Sequence, residues 1–188
     1  MLLLELELER LRTWRPRVIS KLEQFVRSAD DWALYRVNPL AWAAERGLDD
    51  DEAVDLFLAA TKAGLFHLHW SLVCPLCGDA VQSFASLRNI RADFNCTLCQ
   101  NDTQTRLDDF VHVSFVVTPD VRAIAAHHPE ALSAADYCFR YRYLPEALSA
   151  GPGSVPFRDF IRGVTQHTAW LEPGQTRTFD LQLAPGGL

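Results

Sequence analysis

The 188-residue sequence lacks a long apolar run, an excess of basic residues and the common catalytic motifs. No stretch approaches the roughly 18 consecutive apolar residues that a transmembrane helix needs. The leucine-rich segment Met1–Arg10 is interrupted by acids and has no basic start, so it does not resemble a signal peptide. We therefore predict a cytoplasmic protein with no membrane partner.

The acidic balance and the missing motifs also limit the function. A net charge of −6 disfavours nucleic acid as a partner, because proteins that bind nucleic acids normally present a basic face. Glycine-rich phosphate loops, GxSxG elbows and HExxH helices are absent. The local clusters Asp108-Asp109 and His127-His128 are typical of solvated turns. We predict that this chain is not itself an enzyme, while a longer native protein with a catalytic domain is left open.

Cysteine is scarce, but its placement is informative. Four of the five cysteines form two CxxC pairs, Cys74 with Cys77 and Cys96 with Cys99, and eighteen residues separate the pairs. This is the spacing of Cys₄ zinc ribbons, in which two knuckles at hairpin tips complete a tetrahedron. Disulfides and a redox dithiol are the alternatives. A redox CxxC usually occurs once ahead of a helix, and an unpaired fifth cysteine, Cys138, suits a reducing compartment.

The residues beside the cysteines agree with metal knuckles. Pro75 fixes φ inside the first knuckle. Gly78 follows the second sulfur, where positive φ turns backbone N–H groups towards it. Gln100-Asn101 takes the same place in the second knuckle. We predict one structural Zn²⁺ on the four cysteines, with no position left open for substrate.

Before the cysteines, the pattern predicts two capped helices. Asn38 is a good N-cap for a helix over Pro39–Arg46, and Gly47 is a good stop. Asp49 or Asp50 is the cap of a second helix, Asp51–Ala63, whose acidic first turn the helix dipole favours. The two helices and the strand after them resemble a winged-helix-like unit.

Alternating apolar residues predict several strands. Leu65–Val73 and Val111–Val117 alternate clearly. Tyr137–Tyr143, Phe157–Trp170 and Gln175–Leu183 follow the same rule and predict a C-terminal, antiparallel, sandwich-like β region. The fold class is therefore α+β.

Two groups of polar residues on these strands have a functional and a structural interpretation. His67 and His69 could share a metal, but an exposed strand face is the simpler account. Arg140 and Arg142 could bind an anion, but a solvated face explains them as well. Whether the two arginines meet His167 in a small-molecule pocket is left open.

These elements predict four segments. They are a helical lead over 1–30, the winged-helix-like unit over 31–73, the zinc ribbon over 74–110 and the antiparallel β domain over 111–188. The turn signal Ala184–Gly187 lies next to the end of the chain and leaves a strand edge unpaired. We therefore expect the chain to be the N-terminal piece of something longer.

The order of features resembles an uncharacterised bacterial domain that precedes the catalytic domain in many class III adenylate/guanylate cyclases. The resemblance covers roughly Asp31–Leu183. It rests on Asn38-Pro39-Leu40, Gly47-Leu48, Glu52-Ala53, Leu56-Phe57-Leu58, Ala60-Thr61, Gly64-Leu65, Trp70, Cys74-Pro75 with Cys77, Cys96 with Cys99, Phe115 with Pro119, Val121-Arg122 and Leu171–Thr176.

The resemblance implies an accessory role, because the catalytic residues of cyclases have no counterparts in this chain. The expected function is a non-catalytic, zinc-stabilised module that controls or assembles cyclase catalytic domains, in cis or in trans. A homodimer is left open. The alternative is a transcription-type regulator with a zinc ribbon and a winged helix that binds nucleic acid.

Overall fold

The computed structural model describes residues 16–84, 88, 93–104, 110–143, 163 and 166–180. The fold is α+β and divides into two compact units, Met1–Pro129 and Glu130–Leu188. The helices are α1 (Pro16–Ser28), α2 (Pro39–Arg46), α3 (Asp50–Lys62) and α4 (Ala134–Tyr137), with a π-helix at Cys138–Arg142 and short 3-10 helices at Asp31–Leu34, Ala125–His127 and Pro129–Ala131. The strands are β1 (Phe66–Val73), β2 (Ala80–Phe84), β3 (Asp93–Cys96), β4 (Asn101–Gln104) and β5 (Val111–Val117).

Capping residues mark the start of helices α2 and α3 and the end of α2. The Asn38 side chain accepts the N–H of Leu40 at 2.9 Å, and Pro39 occupies the first turn, where its missing N–H costs nothing. Gly47 ends α2 in the left-handed conformation, with φ of 61°. Asp49 caps α3. Both predicted helices are confirmed, and α3 lies one residue earlier at each end than predicted.

The main sheet has three antiparallel strands in the order β2-β1-β5. Strand β5 pairs with β1 from Phe66 opposite Val117 to Leu72 opposite Val111. Both predicted strands are therefore confirmed. However, β5 lies in the first unit and not with the C-terminal region to which the sequence assigned it. Alternation reveals a strand but not its partner, which explains the difference.

One aromatic side chain connects the helices of the first unit to the sheet. The Phe57 ring on α3 lies 5.3 Å from Trp42 of α2, and 5.1 Å from both Phe66 of β1 and Phe115 of β5. Trp42 in turn lies 6.2 Å from Phe25 of α1. Buried aromatic pairs of this kind stabilise a fold beyond the area they bury.

In the second unit, the predicted strand over Tyr137–Tyr143 is wrong. The chain there is helical: α4 begins after Ser133, whose hydroxyl accepts the N–H of Asp136 at 3.1 Å, and the π-helix follows. The alternating aromatic residues mimic a strand. On the helix, Tyr137 and Tyr141 instead lie about one turn apart and stack at 4.8 Å.

The part of the predicted sandwich-like region that lies within described residues 166–180 is not formed. Residues 166–180 contain no strand, and Phe179 of the predicted strand Gln175–Leu183 is 40% exposed. Residues 1–15 of the predicted helical lead and most of the predicted strand Phe157–Trp170 lie outside the described residues. Within the described part of the chain, no helix has both the length and the apolar character that a bilayer crossing demands.

Candidate metal centre

The four cysteines of the CxxC pairs lie at the tips of two hairpins. Strand β1 ends at Val73 and β2 begins at Ala80, so Cys74 and Cys77 occupy the turn between them. Cys96 is the last residue of β3, and Cys99 lies in the turn before β4. The predicted arrangement of two knuckles on hairpins is formed.

The two knuckles share one backbone geometry. The Gly78 N–H donates to the Cys74 carbonyl at 2.9 Å, and the Gln100 N–H donates to the Cys96 carbonyl at 2.8 Å. Gly78 has φ of 70° and Gln100 has φ of 56°. The predicted left-handed residue after each second cysteine is therefore present. In the second knuckle this residue is Gln100, and not Asn101, although asparagine adopts the left-handed conformation more readily.

The four sulfur atoms converge on a single point. Cys74 Sγ lies 3.6 Å from Cys99 Sγ, Cys77 Sγ lies 3.6 Å from Cys96 Sγ, and all four lie within 4.8 Å of one another. A disulfide requires about 2.05 Å. A tetrahedral metal with bonds of about 2.3 Å to sulfur separates its sulfurs by about 3.8 Å. The donor set therefore fits a metal ion.

The environment of the sulfurs differs across the cluster. Burial acts to raise the pKa of the Cys74 thiol. Hydrogen bonds from the backbone N–H groups of Cys77 and Leu76, and hydrogen bonds from neighbouring thiols, outweigh burial and lower this pKa below its ordinary value. Burial raises the pKa of Cys77 to about 12. Cys74 and Cys96 are buried, whereas Cys99 is exposed. Because metals bind the thiolate form, metal uptake releases protons and weakens at low pH.

Asp79 is a residue of this site that sequence reasoning missed. It is fully buried, and its carboxylate oxygen Oδ2 accepts from the Cys96 thiol at 3.8 Å. Its carbonyl accepts the Cys74 N–H at 2.8 Å. In the sequence, an aspartate after a glycine is typical of an exposed turn, so no local signal distinguishes it.

The two histidines of β1 do not belong to a cluster of three or more metal ligands among the described residues. His67 is exposed, as predicted, but His69 is partly buried and Ser71 on the same face is fully buried, so the predicted exposed face is wrong there. Burial, with the nearby charges of Arg36 and His112, lowers the pKa of His69 to about 4. Among the described residues, the four cysteines are the one cluster of at least three such ligands.

The remaining predicted candidates lie in the second unit. Arg140 and Arg142 are on the π-helix, and His167 stacks on Phe179 at 4.9 Å. Cys138 is half-buried and lies outside the cysteine cluster.

The fold and this centre define an α+β protein with a four-cysteine cluster that can hold a metal ion. Over residues 5–188 the chain matches a family described as a family of unknown function, DUF5939, and it belongs to that family. No curated protein and no solved structure shows a significant match.

Proposed function

We propose that Cys74, Cys77, Cys96 and Cys99 bind one structural Zn²⁺ and form a zinc ribbon. The 3.6 Å sulfur separations carry this proposal, since they match the edges of a tetrahedral thiolate site. Four thiolates saturate the ion, so the metal supplies folding energy and no open coordination position. In small zinc modules this energy is about 10–16 kcal/mol.

Metal analysis tests the zinc assignment directly. The purified chain is expected to contain one zinc, to lose it to a strong chelator and to retain none in Cys96→Ser. Cys138→Ser is the matched control, because that thiol lies outside the cluster, and it keeps its zinc. A wild-type chain without metal, or one with a stoichiometric metal other than zinc, would contradict the proposal.

The role that we propose for the whole chain is non-catalytic. It regulates or assembles the catalytic domains of an adenylate/guanylate cyclase, in cis or in trans. The sequence resemblance over Asp31–Leu183 supports the cyclase partner, and the saturated cysteine centre supports a structural rather than catalytic role. A zinc-stabilised pair of hairpins provides a rigid surface on which another domain can dock.

Cyclase activity tests this role. The cyclase catalytic domain is assayed alone, with the metal-loaded chain, and with the Cys96→Ser chain. We expect the loaded chain to change cyclic-nucleotide output or the oligomeric state of the catalytic domain, and Cys96→Ser to have a weaker effect. Equal output and equal oligomeric state in all three samples would rule the proposal out.

A second candidate function is a winged-helix regulator that binds nucleic acid. The order α2, α3, β1 favours it, since a helix-turn-helix followed by a strand is typical of such proteins. The charge opposes it, because Asp50, Asp51 and Asp55 are exposed on α3, the helix that would face phosphate. A gel-shift series with random DNA and RNA at low salt decides, and we expect no salt-sensitive binding.

A further inference from the structure

The buried residue Asp79 contacts three of the four cysteines through three different groups. Its carbonyl accepts the Cys74 N–H at 2.8 Å, and its own N–H hydrogen-bonds to the sulfur of Cys77. Its carboxylate accepts from the thiol of Cys96 at 3.8 Å. The first two cysteines belong to its own knuckle, whereas Cys96 belongs to the other one.

Asp79 is not a fifth ligand. The cluster in which all ligand atoms lie within 4.8 Å of one another contains the four cysteines and does not include the Asp79 carboxylate. The side chain is also fully buried, and a buried carboxyl group is costly unless hydrogen bonds compensate it. Its position therefore needs an explanation other than solvation or direct coordination.

We propose that Asp79 is the positioning residue of the metal centre, and that it holds Cys96 in place before the metal arrives. The proposal rests on the proposed metal site. Backbone hydrogen bonds hold Asp79 within the first knuckle, and its carboxyl group holds the sulfur of Cys96 in the second knuckle. Among the described strands, the two hairpins belong to different sheets, so such a contact brings their cysteines together in the metal-free chain.

Residues that orient metal ligands from outside the coordination sphere typically contribute 10–100-fold to metal affinity. Removing the Asp79 carboxyl leaves the four ligands in the sequence but frees Cys96 to adopt other positions. When a metal displaces the Cys96 thiol proton, that proton would pass to the Asp79 carboxylate, and the resulting O–H would donate back to the sulfur, so the contact is kept with and without metal. In Asp79→Ala, metal binding has to order the second knuckle without this contact. Asparagine has the same shape and offers both a carbonyl oxygen that accepts from the thiol and an N–H that donates to the thiolate, so it keeps the contact in both states.

Cobalt titration of the metal-free full-length chain tests the proposal, because Co²⁺ reports its geometry through its visible spectrum. Wild type, Asp79→Ala, Asp79→Asn and the control Asp93→Ala are compared; Asp93 is an exposed aspartate on β3. We expect Asp79→Ala to bind Co²⁺ about 10–100-fold more weakly, with an altered ligand-field spectrum. Asp79→Asn and Asp93→Ala are expected to keep the wild-type affinity and spectrum.

The outcomes separate the two proposals. If the wild-type chain takes up no cobalt, the metal centre is wrong, and the role of Asp79 falls with it. If the wild type binds cobalt and Asp79→Ala matches it in affinity and spectrum, only the role of Asp79 is wrong. Should Asp79→Ala fail to fold, Asp79→Asn decides: wild-type affinity supports a hydrogen-bonded positioning role, and a large loss of affinity overturns it.

Discussion

The region around Phe57 and the region around the four cysteines lie at opposite ends of strand β1 and are stabilised by different contacts. At Phe66, the strand packs on a helical core through aromatic rings about 5 Å apart. Beyond Val73, the chain forms hairpins held by short turns and by converging sulfurs. Apolar burial acts without any ligand, whereas the proposed metal centre depends on an ion. We therefore expect the helical end to be folded without metal, and the cysteine hairpins to be stable only with metal bound.

Removal of the metal should produce the largest difference in stability between the two regions. At the proposed zinc site, a chelator removes an interaction of roughly 10 kcal/mol or more, so we expect the described hairpin residues 74–84 and 93–104 to lose hydrogen-exchange protection. Protection of α2 and α3 should persist, because their core contains none of the sulfurs. Exchange measured by mass spectrometry with and without chelator checks this. Equal loss of protection in α3 would show that the two regions unfold together.

The converse change weakens the helical end. Phe57→Ala removes a fully buried ring that contacts both neighbouring helix and sheet, and should lower the free energy of unfolding by about 3–5 kcal/mol. The neighbouring Leu58 is 44% exposed, so Leu58→Ala is a matched control with an effect of about 0.5 kcal/mol or less. Denaturant titrations with zinc present measure both. Similar losses in the two variants would contradict the central place of Phe57.

Acidification should weaken the middle of β1, between the two ends. The lowered pKa of His69 means that the folded state holds the ring neutral while the unfolded chain protonates near the ordinary value of 6.5. Stability from this group is complete above pH 6.5 and is lost as the pH falls towards 4.

The full shift corresponds to roughly 3 kcal/mol, which partial solvent exposure of the ring reduces to about 2 kcal/mol. His69→Gln should flatten the pH dependence of unfolding in this window, whereas His67→Gln, on an exposed histidine of the same strand, should not. Parallel pH profiles for wild type and His69→Gln would refute the assignment.

The smallest expected effect concerns the cap of α2. Asn38→Ala removes the acceptor for the first free N–H groups of the helix and should cost about 1 kcal/mol. Asn38→Ser keeps a capping oxygen and serves as the control. Thermal or denaturant unfolding measures the difference. We expect any metal content of the proposed centre to stay unchanged in both variants, because the cap lies in the helical region.

Features set by neighbouring residues could be predicted from the sequence. Asn38, Gly47 and Asp49 fix the helix ends because a cap is a contact over two to four residues. The two knuckles depend on CxxC turns, which are equally local. Their spacing also implied that the four sulfurs converge, since few arrangements other than a metal site place cysteines in this pattern.

Features set by distant residues could not be predicted. The partner of β5 depends on the packing of the whole first unit, and alternation in Val111–Val117 carries no information about it. The same holds for Ser71 and Asp79, which are polar and fully buried. The strand prediction for Tyr137–Tyr143 is wrong for another reason. The alternating aromatic residues fit a strand, but the Ser133 cap and the stacking of Tyr137 on Tyr141 favour a helix.

Strand β1 has a mechanical consequence for the protein. Its eight residues span about 26 Å, and both its neighbours hold it in a fixed register. A slip of one residue would turn Phe66 away from the helices, so the strand cannot slide along its axis without losing the core. The strand therefore keeps a constant length. We expect a movement of the cysteine hairpins to be transmitted along β1 to the helical end as a rigid-body rotation, and not to be absorbed by stretching of the sheet.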